Sequence, residues 1–232
     1  MSALIPGAGW QRHCLAWLDD TGWRQVQAAA ADPRQRQTTQ QWQHRQWPLV
    51  LRRADPDAAA DEACAGLALA PDGDGAKLRI AVRVARAHVQ RLRAPLTLAE
   101  VLAAGPSLPP GWHAALMALQ HTGLPLRVFG SLSWQVLTGQ PYLRPQSDID
   151  LLWQPSQRAE LARGIRLLQQ HARSLPLDGE ILFADGDAVA WKEWAQVEGD
   201  AARVLVKGTS GVRLERVDAL RCMAAEEARC MA

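Results

Sequence analysis

At 232 residues the chain can form one large domain or two small ones, each with its own core. Its 48% hydrophobic and 22% charged residues are those of an ordinary globular protein. A net charge of +2 with dispersed arginines gives no electrostatic case for nucleic acid. No apolar run reaches the ~18 residues that span a bilayer, so no membrane partner is expected. The start, MSALIPGAGWQRH, lacks the basic and long apolar regions of a signal peptide, and a cytoplasmic location is expected. Cys14, Cys64, Cys222 and Cys230 form no C-x-x-C pair and have no histidine at ligand spacing. They read as reduced thiols rather than a zinc site.

Residues 12 to 18 read as a short apolar helix or turn, and 21 to 30 as a helix capped by Thr21. ADPRQRQTTQQWQHRQW, 31 to 47, has no clear period and reads as a polar loop or exposed helix. PLVLRR, 48 to 53, is a predicted strand with proline at its first position. GLALA, 66 to 70, and KLRIAVRV, 77 to 84, are two more, joined by the turn PDGDG. In RAPLTLAEVLAAG, 93 to 105, Thr97 and Glu100 make a capping box and Gly105 a stop. PSLPPG, 106 to 111, breaks helix and strand alike. It sets the expected boundary between an N-terminal substrate- or partner-binding domain, 1–108, and a catalytic domain, 109–232.

GWHAALMALQHTG is a predicted helix with Trp112, Leu116 and Leu119 on one face. LPLRVFG, 124 to 130, reads as a strand, SLSWQVLTG as a helix and SDIDLLW as a strand. SQRAELARGIRLLQQHARS, 156 to 174, is an amphipathic helix with Ser156 as N-cap. GEILFA and DAVAWKEWA read as a β-hairpin around ADGD, with Asp185 and Asp187 making its turn. ARVLVKG is a strand, and RVDALRCMAAEEARCMA a terminal helix.

The chemistry concentrates in RVFGSLSWQVLTGQPYLRPQSDIDLLW, 127 to 153. Alternate residues of a strand share a face, so Asp148 and Asp150 point together while Ile149 and Leu151 point into the core. Two such carboxylates repel unless solvent or a cation neutralises them, and a pair of Mg²⁺ ions, which take oxygen ligands and leave positions for phosphate, suits them. Gly130 allows close approach of a phosphate, and Ser131 opens a helix whose N-terminus carries amide donors. Strand, Gly-Ser, helix, loop, then a strand bearing D-x-D is the order of a polymerase-β-type nucleotidyltransferase. The expected fold is therefore α+β: a small mixed N-terminal domain, then a nucleotidyltransferase domain with a mixed sheet flanked by helices. A third carboxylate from a following strand is expected. LDGEILF offers Asp178 and Glu180, and Glu180, inside the run, is the expected one.

Gly130-Ser131, Trp134-Gln135, Leu137-Thr138-Gly139, Tyr142-Leu143 and Ser147-Asp148-Ile149-Asp150-Leu151-Leu152 resemble the core of the malonate decarboxylase holo-acyl-carrier-protein synthases, the phosphoribosyl-dephospho-CoA transferases. PLVLRR and DGEILFADGDAVAWKEW look like further segments of that family. The resemblance implies a donor, 2'-(5''-triphosphoribosyl)-3'-dephospho-CoA. It implies an acceptor, a serine of the acyl-carrier subunit of malonate decarboxylase, and release of pyrophosphate. On that reading Asp148 and Asp150 bind Mg²⁺, Gly130 and Ser131 grip the leaving phosphates, and Glu180 or a metal-bound oxygen helps deprotonate the acceptor. Lys192 and Lys207 are strand-borne cations for the triphosphate. Arg52 and Arg53 are candidates for dephospho-CoA or the carrier, though neighbours in a strand face opposite ways. The alternatives are the same fold acting on a citrate lyase carrier protein or a small molecule, and a non-catalytic nucleotide-binding protein.

Overall fold

The computed structural model describes residues 9–71, 78–183 and 186–220. The chain forms two compact units. One runs up to Pro95 and includes Leu137–Tyr142, and the other holds Leu96–Val136 and the residues from Leu143 on. The division thus falls at Pro95/Leu96 rather than after residue 108. The helix with the capping box packs against the next helix and strand of the second unit, and PSLPPG is a loop inside that unit.

The first unit contains β1 (Leu15–Leu18), α1 (Asp20–Ala28), α2 (Pro33–His44), β2 (Leu49–Leu51), β3 (Glu62–Ala68), β4 (Arg79–Ala85) and β5 (Val89–Arg93). Its strands pair antiparallel in the order β4-β3-β2-β1-β5. Residues 15 to 18 are therefore strand, not helix or turn. They lie between β2 and β5, and with Leu15, Ala16 and Leu18 all buried the period-two signal is lost. Helix α1 is capped by Asp19, whose carboxylate accepts the Gly22 N–H at 2.7 Å, and not by Thr21. The polar stretch 31 to 47 is mostly helix. Asp32 caps it, Pro33 takes its first position, and Thr39 and Trp42 are its buried residues. The PDGDG turn lies within residues 71–75, of which 72–75 are outside the described residues; the strands it was expected to join pair from Ala68↔Arg79 to Glu62↔Ala85. Leu49, Leu67 and Leu92 are fully buried, each contributing about 1.5–3 kcal/mol.

The second unit contains β6 (Leu96–Thr97), α3 (Leu98–Ala103), α4 (Trp112–Gln120), β7 (Arg127–Phe129), α5 (Gly130–Thr138, whose last two residues group with the first unit), β8 (Ile149–Trp153), α6 (Arg158–His171), β9 (Leu177–Leu182), β10 (Ala188–Ala190), α7 (Trp191–Ala195), β11 (Arg203–Lys207) and β12 (Val212–Arg216). The seven strands follow the order β12-β11-β10-β9-β8-β7-β6. Among the described residues only β8 and β9 run parallel, joined by α6 as a parallel crossover requires. The Thr97–Glu100 capping box forms as expected, and Trp112, Leu116 and Leu119 are buried on α4. Helix α6 is preceded by Gln157 as N-cap, while Ser156 instead binds the Glu160 carboxylate through its N–H and Oγ, both at 2.7 Å.

The expected strand DAVAWKEWA ends at Ala190, and WKEWA is helix α7. Trp191 and Trp194, three residues apart, are both buried. On a strand they would face opposite sides; on a helix they share one. Strand β12 was not anticipated. Of the expected terminal helix, 217–220 are helical and 221–232 lie outside the described residues.

Candidate active site

Strand β7 feeds directly into α5 at Gly130, whose φ is +66°. The glycine is needed twice over. A side chain there would adopt a left-handed backbone, and an added Cβ would collide with Oδ2 of Asp150 and lie 2.8 Å from its Cγ. Phe129 pairs with Asp150 across β7 and β8, so the turn into the helix lies against that carboxylate. Ser131, next on α5, is buried.

Asp148 sits just before β8 and is exposed; Asp150 is within it and half-buried, with Ile149 and Leu151 buried on either side. Alternation thus holds across the D-x-D. Ser147 shapes the approach: its Oγ accepts the Arg144 N–H at 2.9 Å, and its own N–H donates to the Arg144 carbonyl at 2.9 Å. Gln135 of α5 ties the loop down from the other side. Its Nε2 donates to the Ser107 carbonyl at 2.7 Å, and its Oε1 accepts the Leu143 N–H at 3.0 Å.

The parallel register pairs Asp150 with Asp178 and Leu152 with Glu180. The two candidates for a third carboxylate therefore differ sharply. Asp178 is partly exposed and lies beside Asp150, with Lys192 Nζ 3.6 Å from its Oδ1. Glu180 is buried, its Oε1 accepting from Lys207 Nζ at 2.8 Å. Lys192 is on helix α7 rather than a strand, while Lys207 is on β11. Both lysines are thus matched to a carboxylate of β9. Asp187 is a buried ion-pair partner of Arg213, and the Phe183 N–H donates to its carbonyl at 2.8 Å, closing the hairpin. Asp185 lies outside the described residues. Among the described residues, no group of three or more His, Cys, Asp or Glu side chains forms a ready metal cage.

The first unit holds the two arginine candidates. Arg52 is committed to Asp55, with its Nη2 donating to Oδ2 at 2.7 Å and its Nε to the Ala65 carbonyl at 3.2 Å. Arg53 is half-buried, and its Nε has no hydrogen-bond partner. Tyr142, also grouped with this unit, donates its hydroxyl to the Ala68 carbonyl at 2.6 Å; burial pushes its pKa up to about 12.

Residues 11–95 match the phosphoribosyl-dephospho-CoA transferase MdcG N-terminal domain, and residues 97–218 match the MdcG C-terminal domain. The chain belongs to the phosphoribosyl-dephospho-CoA transferase family. It is 38% identical over 209 residues to the phosphoribosyl-dephospho-CoA transferase of Xanthomonas campestris pv. campestris, covering 88% of this chain and 92% of that one. It is 35% identical over 210 residues to that of Bradyrhizobium diazoefficiens, covering 88% of each. With that of Azotobacter vinelandii it shares 32% over 179 residues, 72% of this chain and 77% of the relative. No solved structure matches the chain. The two transferase-family domains meet where the two structural units divide. The C-terminal match carries Gly130, Ser131, Asp148, Asp150, Asp178, Glu180, Lys192 and Lys207; the N-terminal match carries Arg52 and Arg53.

Proposed function

We propose that the chain is a nucleotidyltransferase that attaches 2'-(5''-phosphoribosyl)-3'-dephospho-CoA to a serine of the apo acyl-carrier subunit of malonate decarboxylase. The observation that carries the reading is the apposition of Gly130 and Asp150. A glycine turn at a helix start lies against a carboxylate, as phosphate and cation binding at one point would need. Membership of the transferase family supports the donor and a carrier-protein acceptor.

In the proposed step, the acceptor serine Oγ attacks the α-phosphorus of the triphosphoribosyl group. The bond to the β-phosphate oxygen breaks, and pyrophosphate leaves. Gly130, lacking a Cβ, lets the Asp150 carboxylate close on the turn, and the N–H groups at the start of α5 bind the leaving phosphates beside it. Mg²⁺ takes one or two carboxylates together with substrate phosphates and water, and exposed Asp148 with half-buried Asp150 fits that donor set. A bound Mg²⁺ pair would supply charge neutralisation to the triphosphate. Asp178 is the better choice than Glu180 to take the serine proton, at Oδ1 or Oδ2. Its register with Asp150 and its partial exposure favour it, whereas Glu180 is buried against Lys207. Lys192 is then free to exchange Asp178 for the triphosphate.

The test is the intact mass of an apo carrier subunit incubated with the chain, Mg²⁺ and the triphosphoribosyl donor. The expected result is a gain equal to the donor less pyrophosphate, absent with EDTA. No gain with a competent carrier would overturn the acceptor assignment.

A further inference from the structure

Strand β5 is an edge of the first unit's sheet, and residues 86 to 93 read RAHVQRLR, with three arginines and no carboxylate. The register sets Arg91 opposite Trp17 and Arg93 opposite Leu15 on β1. Both guanidinium-bearing residues therefore share one face with the indole. The opposite face, with Ala16 and Leu92, is in the core, each 1% exposed. Arg91 Cζ stands 3.5 Å from the centroid of the Trp17 ring. That ring is pinned in turn, its N–H donating to the Gln46 carbonyl at 3.0 Å. Arg93 Nε donates to the Ala94 carbonyl at 3.2 Å.

Arg91 is exposed and makes no ion pair among the described residues. Desolvation, and then the charge of Arg93, hold its proton affinity below that of an ordinary arginine. The fold thus keeps two like charges close together. Charge on an edge strand discourages pairing with other strands. A mobile, solvated side chain would do that; here one guanidinium is stacked on a fixed indole beside a second. Arginine and tryptophan are also the residues in which interface hot spots are enriched. Small-molecule sites are concave, whereas Arg91 stands exposed on a sheet edge with Trp17 and Arg93 half-buried beside it.

We propose that the Trp17–Arg91–Arg93 face is where the chain docks an acidic segment of its acceptor protein. The inference rests on the transfer reading above. The positive face raises the encounter rate and orients the acceptor, while the chemistry stays with the second unit.

The test compares the full-length chain with R91E/R93E and R91K/R93K variants, each first checked for unchanged thermal unfolding. Transfer is followed at varied carrier and varied donor concentration, and binding to the apo carrier is measured by calorimetry. The expected result is a tenfold or greater rise in carrier KM and Kd for R91E/R93E. Donor KM should be unchanged, R91K/R93K should be close to wild type, and wild-type affinity should fall as salt rises. An unchanged carrier Kd in R91E/R93E overturns the docking face, and a rise confined to donor KM assigns it to the donor's phosphates instead. Should the wild type bind the carrier without modifying it, the transfer reading falls while the Kd comparison still decides the face. Should it neither bind nor modify the carrier, both fall.

Discussion

A Cβ at position 130 would collide with the carboxylate of Asp150, so Gly130 and Asp150 are a matched pair. Gly130→Ala carries two costs: a left-handed backbone at about 1–2 kcal/mol, and displacement of the carboxylate by a fraction of an ångström or more. Misplacement by about 1 Å near a reacting centre costs on the order of 10²-fold in rate. The expected outcome is a fall of that order in carrier modification, with the protein still folded by circular dichroism. Wild-type turnover in Gly130→Ala would show that the contact has no part in the chemistry.

Asp178 and Glu180 are two residues apart yet should behave as different kinds of group. Asp178→Asn is expected to lower transfer by roughly 10²–10⁴-fold, the range for a general base, with little change in melting temperature. Glu180→Gln removes the charge that meets Lys207 and is expected to cost about 1–3 kcal/mol of stability while leaving transfer in the folded protein. Thermal unfolding and initial rates, measured on both variants, decide the assignment. The reverse pattern, an inactive but fully stable Glu180→Gln beside an active Asp178→Asn, would return the base to Glu180.

That Asp178 pairs with Asp150 is less legible in the sequence than the D-x-D itself, because of where the information lies. The D-x-D, the Gly-Ser turn and the Thr97–Glu100 box are local patterns, and each forms where the sequence puts it. The register of β9 on β8 is set by α6 and by the packing of both strands, so no short stretch records that Asp178 meets Asp150. Gly179 fits this account: its φ is +130°, and a Cβ there would lie 2.6 Å from the Leu151 nitrogen, so the glycine serves the close approach of the two strands. The mistaken strand over WKEWA has a local cause, since five residues with two tryptophans are too short to show a period. Strand β1 shows no alternation in the sequence because Leu15, Ala16 and Leu18 are all buried.

The stability of the first unit should depend on pH through Asp55. Hydrogen bonds from Arg52 and then Arg83, whose Nε lies 2.8 Å from Oδ2, hold the Asp55 carboxyl well below the usual carboxylate range. Its folded pKa is depressed, so its contribution is complete above the unfolded value of roughly 3.9 and is lost as pH falls below that value. Asp55→Asn should lower the melting temperature at neutral pH and flatten its decline between about pH 5 and pH 2. Parallel acid limbs for the variant and wild type would mean that the Arg52–Asp55–Arg83 cluster does not couple protonation to folding.

Gly164 of α6 faces the indole of Trp153 on β8, and a Cβ added there would collide with the ring. Trp153 is 2% exposed and sits three residues beyond Asp150 on the same strand. In the middle of a helix alanine is ordinarily favoured over glycine by about 1 kcal/mol. Here overpacking of the core, at roughly 1–3 kcal/mol, should outweigh that gain. Gly164→Ala is therefore expected to destabilise the protein, and Gly164→Ala combined with Trp153→Phe, which removes part of the obstructing ring, to recover part of the loss. Chemical denaturation of the two single variants and the double variant gives the coupling directly. Additive effects would mean that helix and strand accommodate the methyl without Trp153 moving, and that the glycine is not what sets the spacing of α6 from β8.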